Sequence, residues 1–360
     1  MRRKINKGSI LVTALAVMAL TAGISTSLLM RQSIEIKKTE LMLIQDKLFS
    51  YAQGVEAWGI GELLKAASSH PKNQQADDLT QDWAKPYQPR EIDGVTLTGR
   101  IIDLQGFFNV NTLLFEEENE EEAEGNPGEK GQKPEADKDK EKKIAENYLP
   151  SQVLMRLLQN LPGSEVHSAE ATVNYIKDWI SSQERPSDQE YEQGAMGFPY
   201  APAKRPLISV SELRLVMGID AQTMGALLPL VSALPLSEPE TDGVPGEAAS
   251  KQNVQLSKIN INTAPPLVLT ALFDTQPEAA LDLVAARPFK DMQKVKERLA
   301  HLQNEGLSAN VINQWLDVKS DYFMIESKAV FRNYDAVWYT VVYRSPEKKI
   351  EVLYRMRGVY

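Results

Sequence analysis

The chain opens with MRRKINKG at residues 1–8 and continues as SILVTALAVMALTAGISTSLLM at residues 9–30. The leader carries Arg2, Arg3, Lys4 and Lys7 and no acid, whereas Ser9 to Met30 run 22 residues without a charge before Arg31. A helix needs about 20 apolar residues to cross the hydrocarbon core of a bilayer, so this run is long enough. Lysine and arginine favour the cytoplasmic side, which places everything after Arg31 outside. Three readings compete. A secretory signal peptide has a shorter apolar core and a small-residue cleavage site behind it, but here the run is long and a helical pattern continues past it. A plain anchor fits the hydropathy and gives Gly8 no role. The third reading takes the pattern whole: basic leader, Gly8, apolar helix, then an uninterrupted helix beyond the membrane.

Working outward, the helix is expected to continue from Arg31 to about Ala67. Leu41, Ile44, Leu48, Ala52, Val55, Trp58 and Leu63 recur at helical spacing and mark one apolar stripe. Residues 68–90 contain Pro71, Pro86 and Pro89 and read as an exposed connection. Val95, Leu97 and Gly99 then alternate with Thr96, Thr98 and Arg100, which predicts a strand over about 95–103, followed by a turn at residues 106–111. Residues 116–143 hold 12 acids and 6 bases and nothing apolar larger than alanine, so no core can form there and a disordered acidic loop is expected.

From Ile144 to Asp317 the pattern is one of short helices. Leu154, Leu157, Leu158 and Leu161 share a face, Ser168 caps the next helix, and two helices flank Gly218 with Ser211 as candidate cap. Residues 236–252 read as a second flexible loop, and ININTAPPLVLTALF at 259–273 as a short extended start and a helix. The last 40 residues change period. DYFMIESKAVFR, AVWYTVVYR and KKIEVLYRMRGVY are β-branched and aromatic runs separated by Asn333-Tyr334-Asp335 and Ser345-Pro346-Glu347, which predicts three antiparallel strands.

A chain of 360 residues holds one large domain or two modest ones. A net charge of −9 disfavours a general nucleic-acid surface. The absence of cysteine excludes disulfides and thiolate metal sites, and His70, His167 and His301 lie far apart in the chain. No Walker loop, HExxH or GxSxG occurs, so no enzyme is expected.

The N-terminal pattern resembles the class III signal of type IV pilins and type II secretion pseudopilins. That resemblance implies a prepilin peptidase cut between Gly8 and Ser9. Further on, GFFNVNTL at 106–113, KDWISSQERP at 177–186, ISVSELRLVMGI at 208–219, KININTA at 258–264 and the closing hairpins resemble, together and in this order, the K-type minor pseudopilin family of type II secretion. The implied fold is α+β. It has a long N-terminal transmembrane pilin helix, an antiparallel pilin-like sheet (an α/β-roll), and a large inserted all-α domain resembling helix-hairpin-helix packing. The implied segments are a leader (1–8), a membrane helix (9–30), pilin helix and first strand (31–115), acidic loop (116–143), inserted domain (144–320) and closing strands (321–360).

The resemblance also implies a role. Major pseudopilins carry a glutamate at the fifth mature position, and the K-type family lacks it. Counting from Ser9 that position is Thr13, which fits a tip subunit with no neighbour above it, or a threonine simply tolerated in a membrane helix. The implied partners are I-type and J-type minor pseudopilins packing on Leu41, Ile44, Leu48, Val55 and Trp58, the major pseudopilin, secreted substrates and the outer-membrane secretin. Family members can bind calcium in the inserted domain, a cation that wants six to eight oxygens. Here Ser181, Gln183 and Met196 stand where acids are often found. Only Asp178, Glu184, Asp188 and Glu190 remain as candidates, against a plain solvated loop. The alternative function is a membrane-anchored DNA receptor built on the helix-hairpin-helix likeness, with Lys290, Lys294, Lys296 and Arg298 as its basic face. Its phosphate-binding turn should be glycine-rich, but residues 272–277 read LFDTQP.

Overall fold

Helix α1, Lys7–Ser69, is a single run of 63 residues that contains both Gly8 and Ser9. It belongs to a computed structural model that describes residues 7–69, 76–116, 147–162, 168–185, 187–194, 197, 199–236, 256–300 and 309–358. An 18-residue apolar window near its start has a mean hydropathy of 1.9, and none of that window is buried within the chain. From Ile44 onward the same helix changes character. Ile44, Leu48, Ala52, Val55 and Leu63 are buried against a sheet.

That sheet has five antiparallel strands in the order β1 (Tyr87–Ile92), β2 (Val95–Asp103), β7 (Tyr322–Phe331), β8 (Tyr334–Arg344), β9 (Ile350–Arg357). Four of the five were legible as alternating runs. The fifth, β1, lies in the stretch expected to be an exposed connection, and two physical reasons account for the difference. Asp93 and Gly94 both take positive φ, 51° and 76°, which closes a tight β1–β2 hairpin. Pro89 sits in an edge strand where the register shifts between Tyr87 and Arg90, so its missing N–H costs no ladder bond. Most of the described connection is exposed as expected, β1 included, but Ala76, Asp77 and Trp83 are buried. The β7–β8 turn also falls earlier than expected. Arg332 takes φ 55°, and Tyr334 already pairs with Phe331.

Alternation along the strands divides the sheet between two cores. Val95, Leu97, Phe323, Ile325, Ala329, Trp338 and Val342 face α1. Tyr322, Met324, Val341 and Tyr343 point the other way, into the core of the inserted domain. The sheet is therefore the middle layer of three, a consequence of side chains pointing to opposite faces at successive residues.

The inserted domain is predominantly helical, as expected. It holds short helices α2 (Pro150–Gln159), α3 (Ala169–Ile180), α4 (Ser187–Glu192), α5 (Ala221–Leu227), α6 (Pro266–Phe273), α7 (Pro277–Ala285), α8 (Met292–Leu299) and α9 (Ala309–Trp315). It also holds two short parallel ladders, β3 (Phe108–Asn109) with β4 (Val231–Ser232) and β5 (Ile259–Asn260) with β6 (Leu316–Asp317). Each ladder opens one copy of a repeated construction. Asn109-Val110-Asn111-Thr112 matches Asn260-Ile261-Asn262-Thr263, and Arg205-Pro206-Leu207 matches Arg287-Pro288-Phe289. In both copies the first asparagine side chain accepts from the backbone N–H of the second, at 3.2 and 2.9 Å. In both, the second asparagine pairs in two directions with one backbone. Asn111 accepts from Leu207 N at 2.8 Å and donates to Leu207 O at 2.9 Å, while Asn262 does the same with Phe289 at 2.7 and 2.9 Å. Two residues on, Ser209 and Asp291 cap the following helical turns. Ser209, rather than the expected Ser211, is the cap, since its capping box with Glu212 satisfies two backbone donors. Ser168 caps α3 as expected.

The acidic stretch 117–143 and residues 237–252 lie outside the described residues. Glu116, expected to belong to the solvated loop, is instead buried. Its carboxylate accepts from Ser151 N at 2.5 Å in the first turn of α2 and pairs with Lys177 of α3.

Candidate functional site

Two surfaces carry the residues singled out in the sequence. The first is α1. Ile44, Leu48 and Val55 are buried against this chain's own sheet, and Trp58 lies half-buried with its ring 4.8 Å from Tyr87. These four were expected to receive partner helices. The correction is physical: their surface is already spent on β1, β2, β7 and β8, and only Leu41, 38% exposed, faces outward. Other apolar side chains of α1 beyond Arg31 are uncovered, namely Ile34, Ile36, Met42, Leu43, Phe49 and Leu64. Ile36 and Leu43 line an open groove of about 570 Å³ with Gln32, Glu35, Phe331 and Arg332. One wall of the groove is helix and the other is the β7–β8 turn, steadied by the Lys47 ammonium 4.1 Å from the Phe331 ring.

Two polar ties hold α1 to the sheet behind this groove. Glu56 accepts from Arg355 at 2.8 and 2.7 Å and from Thr340 at 2.7 Å. Burial pushes its carboxyl up, and the hydrogen bonds from Arg355 and Thr340 outweigh that and hold it below the usual carboxylate range. Lys47 Nζ donates to Asp93 O at 2.9 Å at the β1–β2 hairpin, and the Tyr51 hydroxyl bonds the Asp93 carboxylate. Nearer the start of α1, Thr13 Oγ1 donates to Ile10 O at 2.9 Å within its own helix.

The second surface is the loop after α3, where calcium candidates were expected. The four carboxylates do not converge. Glu184 and Glu190 are exposed, and the nearest polar partner of Glu190 is the Tyr175 hydroxyl at 3.5 Å. The Asp178 carboxylate accepts from Ser187 Oγ at 2.6 Å. Asp188 accepts from Arg185 N at 2.9 Å and from the Lys204 ammonium at 2.7 Å through Oδ1 and 2.6 Å through Oδ2. Lys204 also donates to Gln183 O at 2.7 Å. Among the described residues no three histidine or carboxylate side chains share a position that could hold a metal. An ammonium sits inside the oxygen cluster, so the donor set does not fit a divalent cation.

The helix-hairpin-helix turn is likewise not an anion site. Asp274 takes the left-handed position at the end of α6, φ 48°, and pairs with Arg156 at 3.4 Å. Of the proposed basic face, Lys294 pairs with Glu297 at 3.0 Å.

Sequence reasoning missed a third group. Asp103, at the end of β2, accepts from Gln105 N at 2.9 Å, Asn260 Nδ2 at 3.0 Å, Thr263 Oγ1 at 2.7 Å and Ser320 Oγ at 2.5 Å. Beside it, Asp77 forms a buried ion pair with Arg344, which also donates to Ser320 O. The repeated Asn-x-Asn-Thr motif was the available signal for this joint.

Two family models described as type II secretion system protein K match residues 106–236 and 259–319, together more than half of the chain. Each match starts at or just before one copy of the repeat and ends just beyond its ladder. Among curated proteins, the chain is 28% identical to type II secretion system protein K of Pectobacterium carotovorum subsp. carotovorum, covering 99% of this chain and 98% of that one. It is 27% identical to the protein of the same name in Pseudomonas aeruginosa, over 99% and 94% of the two chains. Among solved structures, it is similar to a chain in the GspK–GspI–GspJ complex of the enterotoxigenic Escherichia coli type 2 secretion system, with a TM-score of 0.64, 22% identity, and 90% and 100% of the two chains covered.

Proposed function

The chain belongs to the type II secretion system protein K family, and from that membership we propose that it caps the tip of the secretion pseudopilus, helping to start the filament and export folded proteins. It acts as a non-enzymatic minor pseudopilin of a Gram-negative inner membrane, crossing once with its bulk in the periplasm. The observation that carries this reading is α1. From Ile44 onward one side is closed by the chain's own sheet, while between the membrane segment and that contact apolar side chains stay uncovered at Ile34, Ile36, Met42 and Leu43. Large uncovered apolar surface marks an assembly site, and helices of I-type and J-type subunits are its occupants, as the complex formed by the similar Escherichia coli chain suggests.

Two further features support the end position. The inserted domain adds a third layer beyond the sheet, a width that helices stacked in a regular filament accommodate best at an end. Thr13 brings no charge to the apolar layer and satisfies its hydroxyl within its own helix. A carboxylate there without a partner would be costly, so threonine suits a subunit with no neighbour above it.

The test is co-expression with prepilin peptidase and the other pseudopilins of the same system. Intact mass should show loss of residues 1–8, abolished by Gly8→Val. The processed protein should co-purify with the I-type and J-type subunits, and antibody labelling should mark one filament end. Labelling along the filament length, or an uncut chain that still supports secretion, would defeat the proposal.

A further inference from the structure

Family membership implies a calcium-binding loop after α3, and beyond the acids missing at Ser181, Gln183 and Met196 this chain places a cation of its own there. Lys204 takes φ 53°, a left-handed conformation uncommon for a residue with a Cβ. Its backbone N–H donates to Trp179 O at 2.9 Å, which turns the side chain back over the loop. There the ammonium meets both oxygens of Asp188 at 2.7 and 2.6 Å, Gln183 O at 2.7 Å and Asp178 O at 3.4 Å. A bidentate carboxylate with two backbone carbonyls is the kind of set that cradles a hard cation. The shell here is smaller than the six to eight oxygens calcium takes, and most of its spacing is that of N–H···O bonds. A lysine presents three donors and one charge on a tethered stem, which matches one carboxylate and two carbonyls.

We propose that the Lys204 ammonium is the resident cation of this loop, doing covalently and permanently what an exchangeable divalent ion would do, so that the inserted domain folds independently of calcium. The charge arithmetic favours it. Asp188 is the one carboxylate aimed at the centre, since Asp178 turns its own to Ser187 and Glu184 and Glu190 are exposed. A divalent ion entering the cluster would face Lys204 with too little negative charge to offset both. The loop lies only in the first copy of the repeat. In the second copy α7 ends at Ala285, two residues before Arg287, with no room for an equivalent.

The experiment uses the full-length protein in detergent, melted in excess calcium and in excess EGTA. The wild type is expected to melt at the same temperature in both, because a ligand that does not bind the native state shifts nothing. Lys204→Met, which keeps the stem and removes the charge, is expected to melt lower by roughly 3 °C or more in EGTA. A wild-type melting point that falls in EGTA would overturn the proposal, as would stoichiometric calcium binding by calorimetry, or a Lys204→Met variant that melts like wild type. Should Lys204→Met fail to accumulate, Asp188→Asn replaces it, since the amide keeps one oxygen for the ammonium. A smaller fall is then expected, and no fall overturns the assignment.

Discussion

Asp103 is the residue on which the sheet and the inserted domain meet. It ends β2, and its two carboxylate oxygens collect donors from Gln105, Asn260, Thr263 and Ser320. Burial pushes its carboxyl up to about 6 from an ordinary 3.8, against the pull of the hydrogen bonds from Ser320 and Thr263 and with the help of nearby Asp77. The folded value lies above the unfolded one, so the contribution to stability is fully present below about pH 4 and lost as pH rises through about 6. Acidification from about pH 7 to about pH 5 is therefore expected to stabilise the protein by on the order of 1 kcal/mol, read as a rise in melting temperature. Glu56 does not mask the effect, because a depressed carboxyl loses its contribution only at lower pH. Burial also pushes the neighbouring Asp321 carboxyl up to about 6, so Asp103→Asn should reduce the response over this range without abolishing it, and lower stability at both ends, because an amide cannot accept from all four donors. An unchanged slope in that variant would assign the response to Asp321 alone. The Asn-x-Asn-Thr repeat marked two of these donors in the sequence, Asn260 and Thr263, but not their meeting with Asp103. Asp103 and Ser320 are 217 positions apart and meet only once two helical modules have folded between them.

At the scale of elements, the pairing of α1 with the sheet decides the fold, and it was half legible. Helical spacing gave the stripe from Ile44 to Leu63, and alternation gave β2 and β7 to β9, because a buried face imposes its period on the sequence. What the stripe packs against was not legible. Period alone does not distinguish a partner's helix from the chain's own sheet, and the structure assigns it to the sheet. The contact is close at Gly99. A Cβ there would lie 2.5 Å from Val55 Cγ1 and 2.8 Å from Glu326 O. Gly99→Ala is expected to destabilise by about 1–3 kcal/mol, as overpacking of a filled interface does. Val55→Ala in the same chain should recover part of the loss but not all, since the Glu326 carbonyl remains in the way. Urea melts of the two single variants and the double variant check this. Additive losses would mean that the two residues do not touch. The repeat in the inserted domain, by contrast, was visible as Asn-Val-Asn-Thr and Asn-Ile-Asn-Thr. A search for internal periods finds it, whereas reading one helix at a time does not.

At the scale of the whole molecule, the three layers leave the apolar groove at Ile36 and Leu43 uncovered, and the choice of residue separates folding from assembly. Leu48 is 1% exposed and Leu43 64% exposed on the same helix. Leu48→Asp would bury a carboxylate in the apolar α1–sheet core, which no fold of ordinary stability tolerates. Ile36→Asp with Leu43→Asp places two charges on the open groove beside Phe331 and Arg332, where water already reaches. Surface changes of that kind move stability by no more than about 0.5 kcal/mol. If this face receives the partner helices, the double variant should melt like wild type, still lose residues 1–8, and fail to co-purify with the I-type and J-type subunits. The same variant should then lose secretion while remaining at normal level in the membrane. Retention of both partners at wild-type yield would move the interface off the groove, leaving Leu64 and the helix nearer Ser69 as the surface to test next. A melting point lowered as far as that of Leu48→Asp would instead mean that the groove is closed by the chain itself, and the assembly argument would lose its surface.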